Sequence, residues 1–138
     1  MTESAPETAS GVELVQELAR RFTAGDREGA LELYHPEVRL ELPYSLPHGG
    51  VYRGRDGFAP MSETFAQHWD RTITDARLMG CGEVVVQITT QTWTAKSTGR
   101  EATVDVVELF SFADGMISEI RVFQQDTHRL LETLDTPR

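Results

Sequence analysis

Apolar residues in the first half of the chain recur at helical spacings. Residues three or four positions apart share one face of a helix, and this spacing predicts three helices. Their apolar stripes are Val12, Val15, Leu18, Ala19 and Phe22; Ala30, Leu31 and Tyr34; and Phe58, Met61, Phe65 and Trp69. Ser10 is the predicted N-cap of the first helix, and Pro36 ends the second because proline cannot continue a helix.

The remaining segments follow the two-residue period of β-strands. Val38, Leu40 and Leu42 alternate with charged residues, and segments rich in Val, Ile and Thr follow at residues 72–79, 84–95, 100–112 and 116–124. Short connections such as Asp114-Gly115 require neighbouring strands to be antiparallel. Asp126 is placed to cap a closing helix. The pattern predicts an α+β fold in which the helices cover one face of a curved antiparallel sheet.

One carboxylate interrupts an apolar strand face. Val104, Val106, Phe110 and Phe112 share a face with Glu108, because strand side chains alternate between the two faces of a sheet. Buried carboxylates are rare unless they are paired. Glu108 therefore either reaches an arginine or water at a sheet edge, or is a carboxyl group with a raised pKa in a cavity.

Composition restricts the partners and the compartment. The chain of 138 residues has 22 acidic and 13 basic side chains and a formal net charge of −9, so we expect neither nucleic acid nor an anionic membrane surface as a partner. No apolar run is long enough to cross a membrane, and no signal-peptide pattern is present. The single cysteine, Cys81, has no disulfide partner, which favours the cytoplasm. We expect one domain over residues 11–135, a disordered tail at 1–10 and a tail at 136–138.

The segment from residue 44 to residue 55 predicts a loop with chemically useful side chains. It holds Tyr44, His48 and Tyr52, and loops on a rigid scaffold often carry function. His48 is either a solvent-exposed loop histidine or, if the loop folds over a pocket, a titratable partner of Glu108. Metal, phosphate-loop and nucleophile motifs are missing from the sequence, which leaves acid/base chemistry without a cofactor.

Three segments of the chain resemble the SnoaL-like family of the nuclear transport factor 2-like superfamily and, more distantly, ketosteroid isomerase. They are Tyr34-His35-Pro36-Glu37-Val38, the stretch Leu46-Pro47-His48-Gly49-Gly50-Val51-Tyr52-Arg53-Gly54-Arg55, and the stretch from Phe110 to Ile120. The resemblance implies a cystatin-like cone, in which a strongly curved antiparallel sheet wraps on about three N-terminal helices around an apolar internal pocket. It also implies a homodimer packed through the outer face of the sheet.

The catalytic groups of ketosteroid isomerase carry over only in part. The position of its proton-shuttling base falls on Leu42, and the position of its oxyanion-hole tyrosine falls near Leu18, so neither group is present. Its second carboxyl, an acid kept neutral by an apolar site, falls on Glu108. We therefore do not expect steroid isomerisation by that machinery, whereas an acid in the pocket is retained.

The resemblance and the strand pattern together predict a small enzyme of the cyclase, isomerase or dehydratase type. Its substrate would be an apolar polyketide- or terpenoid-like molecule, and it would need no cofactor. The alternative is a non-catalytic dimeric module that binds an apolar metabolite or acts as an accessory protein. The candidate catalytic residues are Glu108, His48 and Asp126, the last with helix capping as its competing role. The candidate substrate-binding residues are Tyr44, Tyr52, Trp69, Leu42, Phe58, Phe110 and Gln124.

Overall fold

The computed structural model describes residues 6–135, with side chains from residue 11 onward. Its helices are α1 (Pro6–Thr23), α2 (Arg27–Leu31), α3 (Phe58–His68) and α4 (Thr127–Glu132), with a 3₁₀ turn at Arg55–Gly57 before α3. Its strands are β1 (Tyr34–Leu42), β2 (Gly50–Arg53), β3 (Trp69–Cys81), β4 (Val84–Ala95), β5 (Glu101–Ala113) and β6 (Met116–Gln124). The predicted α+β fold is confirmed.

All six strands belong to one sheet with the order β2-β1-β6-β5-β4-β3. Strands β3 to β6 form an antiparallel meander, and β2 pairs antiparallel with β1. The β1–β6 pair is parallel, which the expectation of an antiparallel sheet did not include. A crossover through α3 and the meander brings β6 back beside β1, so residues far apart in the chain share the centre of the sheet.

The hairpin from β5 to β6 forms as predicted. Ala113 pairs with Met116 across a two-residue turn, and Asp114 and Gly115 have φ angles of 56° and 75°. Positive φ at both central positions matches the right-handed twist of the two strands, and Asp-Gly tolerates it better than other pairs. The turn sets the register of the first two pairs, and an irregularity between Ser111 and Phe112 then shifts the ladder by one residue, so that Glu108 lies opposite Val122.

Several predicted boundaries were wrong. Ser10 lies inside α1 and not at its start, so Pro6–Ser10 belong to the helix and not to a tail. Residues 1–5 and 136–138 lie outside the described residues. Tyr34 begins strand β1 and is not on the second helix, and Trp69 begins β3 and is not on α3. Strand β2, within the predicted loop, was missed because it is only four residues long.

The core lies between the helices and one face of the sheet, which we call the inner face. Val15 and Leu18 of α1 belong to the same buried cluster as Leu40 of β1 and Val106 and Phe110 of β5. Fully burying each large apolar side chain contributes roughly 1.5–3 kcal/mol to the free energy of folding. This gain determines which alternate residues of each strand face the core and which face outward. In the described residues, no helix is long and apolar enough to cross a membrane.

Candidate functional site

Glu108 lies on the inner face in the middle of β5. Its neighbours two residues away, Val106 and Phe110, are 1% and 2% exposed, whereas Glu108 itself is half-buried. The side chain of Gln87, its cross-strand partner on β4, donates a hydrogen bond from Nε2 to Glu108 Oε1 at 2.6 Å. Burial raises the pKa of Glu108, and the Gln87 hydrogen bond and the positive charge of Arg71 oppose this shift. The structure thus places a carboxyl group with a raised pKa among apolar side chains.

Glu108 makes no ion pair within the described residues, unlike the partly buried carboxylates Glu41 and Glu119. Glu41 and Glu119, on the outer face, both accept from Arg39 Nη1, at 3.0 and 2.8 Å. The hydrogen bond from Arg39 is the largest cause of the lowered pKa of Glu41. The alternative in which Glu108 reaches an arginine at a sheet edge is therefore not what the structure shows: its direct partner is the neutral Gln87 amide.

Two residues that the sequence analysis did not select lie close enough to Glu108 for its charge to affect their pKa values. Tyr34 is 3% exposed and stacks on Phe58, with ring centroids 4.3 Å apart. Burial raises the pKa of Tyr34 well above its ordinary value, and the charge of Glu108 raises it further, so the hydroxyl stays protonated. Arg71 lies over the Phe65 ring at 5.1 Å and senses the charges of both Glu108 and His48.

Strand parity would have identified both residues. Tyr34, Val38, Leu40 and Leu42 are separated by even numbers of positions, and Arg71 is two positions after the inward-facing Trp69. The signal was hidden because Tyr34 and Trp69 were both assigned to helices.

His48 is inside the protein and not exposed on a loop. The residue is 2% exposed, and its ring packs among Phe65, Trp69 and Trp93 at centroid distances of 5.2, 5.9 and 5.7 Å. Its Nδ1 atom is buried without a hydrogen-bond partner. Burial, with the positive charges of Arg71 and His68, lowers the pKa of His48 to about 4. At neutral pH the imidazole is therefore uncharged.

The other loop residues fold differently from one another. The hydroxyl of Tyr52 donates to the backbone carbonyl of His48 at 3.0 Å, so Tyr52 holds the loop in place. Tyr44 is 68% exposed and donates to Glu41 Oε2 at 3.1 Å. Tyr44 and Leu42 line an open groove of about 290 Å³ at the end of β1, beside Arg121 and Phe123. This groove lies at the ends of the neighbouring strands β1 and β6, and the inner-face residues Leu42 and Val122 form part of its lining.

The remaining predicted residues have clear structural positions. Phe110 is buried in the core, and Trp69 is buried and donates from Nε1 to Thr133 Oγ1 at 2.8 Å. Gln124 faces inward next to Val106, and its Oε1 is buried without a partner. Asp126 accepts a hydrogen bond from the backbone nitrogen of Arg129 at 3.2 Å and is the N-cap of α4. The carboxylate of Asp126 therefore has the capping role that competed with catalysis.

The inner face brings together part of the predicted site. Glu108, Gln124 and His48 supply polar groups there, and Tyr34 and Arg71 add a hydroxyl and a cation. Tyr44 lies elsewhere on the surface. Among the described residues, no three His, Cys, Asp or Glu side chains are grouped so that they could hold a metal ion. The arrangement can give or take a proton at Glu108 and can donate hydrogen bonds to an oxygen beside it.

Solved structures share this fold over almost the whole chain. A nuclear transport factor 2-like protein of Burkholderia pseudomallei is 24% identical with a TM-score of 0.81, and the match covers 92% of this chain and 98% of that one. TerC, co-crystallised with polyporic acid, is 21% identical with a TM-score of 0.80 over 92% of this chain and 99% of its own. A candidate polyketide cyclase of Xanthomonas campestris is 16% identical with a TM-score of 0.76, over 94% and 99% of the two chains.

These identities establish the fold, a cone of the nuclear transport factor 2-like type, and not the reaction. No protein with a curated description matches the chain. A family model for the SnoaL-like domain matches residues 15–120, which is most of the chain and includes α2, α3 and all strands except the end of β6. The chain therefore belongs to the SnoaL-like domain family.

Proposed function

We propose that this protein is a small enzyme that transfers protons on an apolar polyketide- or terpenoid-like molecule without a cofactor, with Glu108 as its acid/base group. The observation that carries the proposal is the environment of Glu108: an inner-face carboxyl between Val106 and Phe110 whose direct partner is an amide and not a cation. Such a group is expensive to bury for stability alone. Its raised pKa brings it closer to the pH at which proton transfer is efficient.

The two oxygens of Glu108 have different roles in this proposal. Oε1 accepts the hydrogen bond from Gln87, so Oε2 carries the proton in the neutral acid. From Oε2 the proton can pass to a carbonyl or epoxide oxygen of the substrate. As the carboxylate, Glu108 can instead take a proton from a carbon next to a carbonyl and return it elsewhere. Cyclisation, isomerisation and dehydration each need one of these transfers.

Neighbouring groups support the same chemistry. The neutral hydroxyl of Tyr34 is a hydrogen-bond donor near the charge of Glu108, and it suits an oxygen that gains negative charge in the transition state. Val104, Val106 and Phe110 are buried on the same strand face and keep the surroundings of the carboxyl group apolar. The names of two structural relatives support the proposal: one is a candidate polyketide cyclase, and TerC was co-crystallised with polyporic acid.

The first test is an NMR titration of the side-chain carboxyl groups in the wild type and in Glu108→Gln. The signal lost in Glu108→Gln should titrate above the ordinary glutamate value of about 4.3, whereas Glu41 should titrate below it. Carbonyl and epoxide compounds are then screened for turnover, which Glu108→Gln should abolish. A Glu108 midpoint at or below the ordinary value would overturn the proposal. Ligand binding without turnover in the wild type would favour the non-catalytic binding module.

A further inference from the structure

We propose that the substrate is an apolar carboxylic acid whose carboxylate binds the guanidinium of Arg71 on the inner face of β3. This inference rests on the proposed function, because it names the substrate class for the same site. The sequence analysis did not include Arg71, and the resemblance to ketosteroid isomerase assigns no role to this position.

The register of β3 shows that Arg71 points to the inner face. Arg71 pairs with Trp93 and Ile73 pairs with Gln91 on β4. Both partners are buried, at 1% and 5% exposure, and directly paired residues of antiparallel strands share a face. Arg71 therefore follows the buried Trp69 on the same side of the sheet.

This part of the inner face is open to solvent. Ile73 is 50% exposed, and Arg71 is also exposed, although their partners on β4 are buried. Surrounding protein nevertheless lowers the pKa of Arg71 by desolvation. A side chain at the mouth of a concave surface is reached by water and also has protein around it, and both features are seen for Arg71. A ligand can therefore reach the Arg71 guanidinium from outside.

The guanidinium has no acceptor of its own. Within residues 6–135, the Arg71 side chain makes no hydrogen bond or ion pair, and its described contact is the Phe65 ring, 5.1 Å from the guanidinium carbon. By contrast, Arg39 and Arg21, which are partly buried, each hold a carboxylate. A stack on an aromatic face orients the guanidinium and leaves its N–H groups, five in number on any arginine, free to bind a planar carboxylate.

The acidic partner that Arg71 lacks cannot be Glu108 itself. The two groups sense each other's charge, but Glu108 is bonded to Gln87 and forms no ion pair with Arg71 in the described residues. A ligand carboxylate on Arg71 would place the rest of the molecule against Phe65 and the apolar inner face near Glu108. The acid/base group would then act on the ligand's carbon skeleton and not on its carboxylate.

The inference is tested by comparing 2-naphthoate with 2-naphthamide, two aromatic probes of the same size that differ in charge. Binding to the wild type, Arg71→Gln, Arg71→Lys and the control Arg77→Gln is measured by NMR shift titration. Arg77 is exposed on the same strand but pairs with Ile88 on the outer face. We expect the wild type to bind naphthoate about tenfold more tightly than naphthamide, as a charge-assisted hydrogen-bonded pair allows.

The variants separate the charge from the hydrogen-bond geometry. Arg71→Gln should remove the preference for naphthoate, Arg71→Lys should keep part of it, and Arg77→Gln should leave it unchanged. Because Arg71 is exposed, these variants should fold, which circular dichroism checks. Equal binding of the two probes by the wild type, an unchanged preference in Arg71→Gln, or no binding of either probe would each overturn the inference.

Failure of the proposed function gives a different result. Glu108→Gln should retain the preference for naphthoate, since the probe binds Arg71 and no turnover is measured. A normal Glu108 pKa together with a preference that depends on Arg71 would overturn the acid/base role alone. A raised Glu108 pKa without that preference would overturn the carboxylate site alone.

Discussion

The substitution Glu108→Gln should stabilise the protein at neutral and higher pH. In the folded protein, burial raises the pKa of Glu108 above its ordinary value, so the folded state holds this proton to a higher pH than the unfolded chain does. Below the ordinary value of about 4.3 both states are protonated and the stability is complete. As pH rises through the folded-state pKa, the wild type loses stability, whereas Glu108→Gln does not.

The size of the effect follows from one proton. Between the unfolded and folded pKa values, the free energy of unfolding of the wild type falls relative to Glu108→Gln by up to about 1.4 kcal/mol per pH unit. Glutamine can still accept the Gln87 hydrogen bond through its own carbonyl oxygen, so little packing or bonding is lost. The difference between the two proteins should therefore be small near pH 4 and grow with pH.

Urea denaturation of the wild type and Glu108→Gln, from about pH 4 to about pH 8, measures this difference. The matched control is Glu41→Gln, because the Arg39 hydrogen bond is the main cause of the lowered pKa of Glu41, so the sign is reversed. Glu41→Gln should destabilise the protein at neutral pH, and its effect should disappear as pH falls through the folded-state pKa of Glu41. A difference for Glu108→Gln that stays flat with pH, or a loss of stability in that variant, would refute the reasoning and indicate a structural ion pair.

Three further predictions concern residues around the site. The pKa of His48 is about 4 in the folded protein and about 6.5 in the unfolded chain, so the unfolded chain binds the proton first as pH falls. The free energy of unfolding of the wild type should therefore decrease by about 3 kcal/mol as pH is lowered from about 6.5 to about 4. Denaturation of His48→Phe over the same pH range should lack this decrease. Gln124→Leu removes a buried oxygen that has no hydrogen-bond partner, so it should raise the free energy of unfolding by about 1 kcal/mol and weaken ligand binding. A destabilised variant would contradict this. We also propose a homodimer that packs through the outer face of the sheet, where Val107 lies between Ile88 and Phe123. Sedimentation should show that the wild type is a dimer and that Val107→Lys is a monomer. A monomeric wild type would refute the proposal.

The position of Glu108 could be predicted because it depends only on local rules. Strand alternation along β5 places Glu108 on the face of Val106 and Phe110, and this holds although the β5–β6 register shifts between the Asp114-Gly115 turn and Glu108. No contact with a distant part of the chain was needed for this step. The same local rules placed Gln124 on the inner face.

Tyr34 was misassigned because two local signals conflict there. Pro36 predicts the end of a helix, yet it lies inside β1, where the β1–β6 register shifts between Tyr34 and Arg39. An irregular stretch of ladder tolerates a residue without a backbone N–H, so proline does not end this strand. Pairing with β6, about 80 residues later in the chain, decides the structure, and no local window contains that information.

Arg71 was missed for a related reason. The spacing of Phe58, Met61, Phe65 and Trp69 fits a helix throughout, but α3 ends at His68 and Trp69 is already in β3. Trp69 is buried in both interpretations, so burial did not reveal the change from helix to strand. With Trp69 in the strand, Arg71 and Ile73 follow it onto the inner face. One residue of boundary error therefore concealed a cation at the site.

Polar residues on the inner face fall into two groups, and the first group is satisfied by the protein itself. Gln91 Nε2 donates to Thr89 Oγ1 at 3.0 Å, and Trp93 Nε1 donates to Gln91 Oε1 at 2.8 Å. Thr89 and Gln91 are almost fully buried, and their bonds offset the cost of removing them from water. These residues are explained by the fold and need no ligand.

The second group consists of His48 and Gln124, whose Nδ1 and Oε1 atoms are buried without a hydrogen-bond partner, and of Arg71, which is exposed and whose side chain has no hydrogen bond or ion pair in the described residues. A buried polar atom without a partner costs about 1–3 kcal/mol, and an apolar side chain of similar shape would avoid that cost. Sequences that retain such groups give up stability, which is expected where the groups serve a ligand. The two buried groups belong to the loop before β2 and to β6, Arg71 belongs to β3, and the charge of Arg71 affects the pKa values of both His48 and Glu108. A ligand that paired with Arg71 and gave hydrogen-bond partners to His48 and Gln124 would recover this free energy in the complex, so the stability lost in the free protein becomes binding energy at the site.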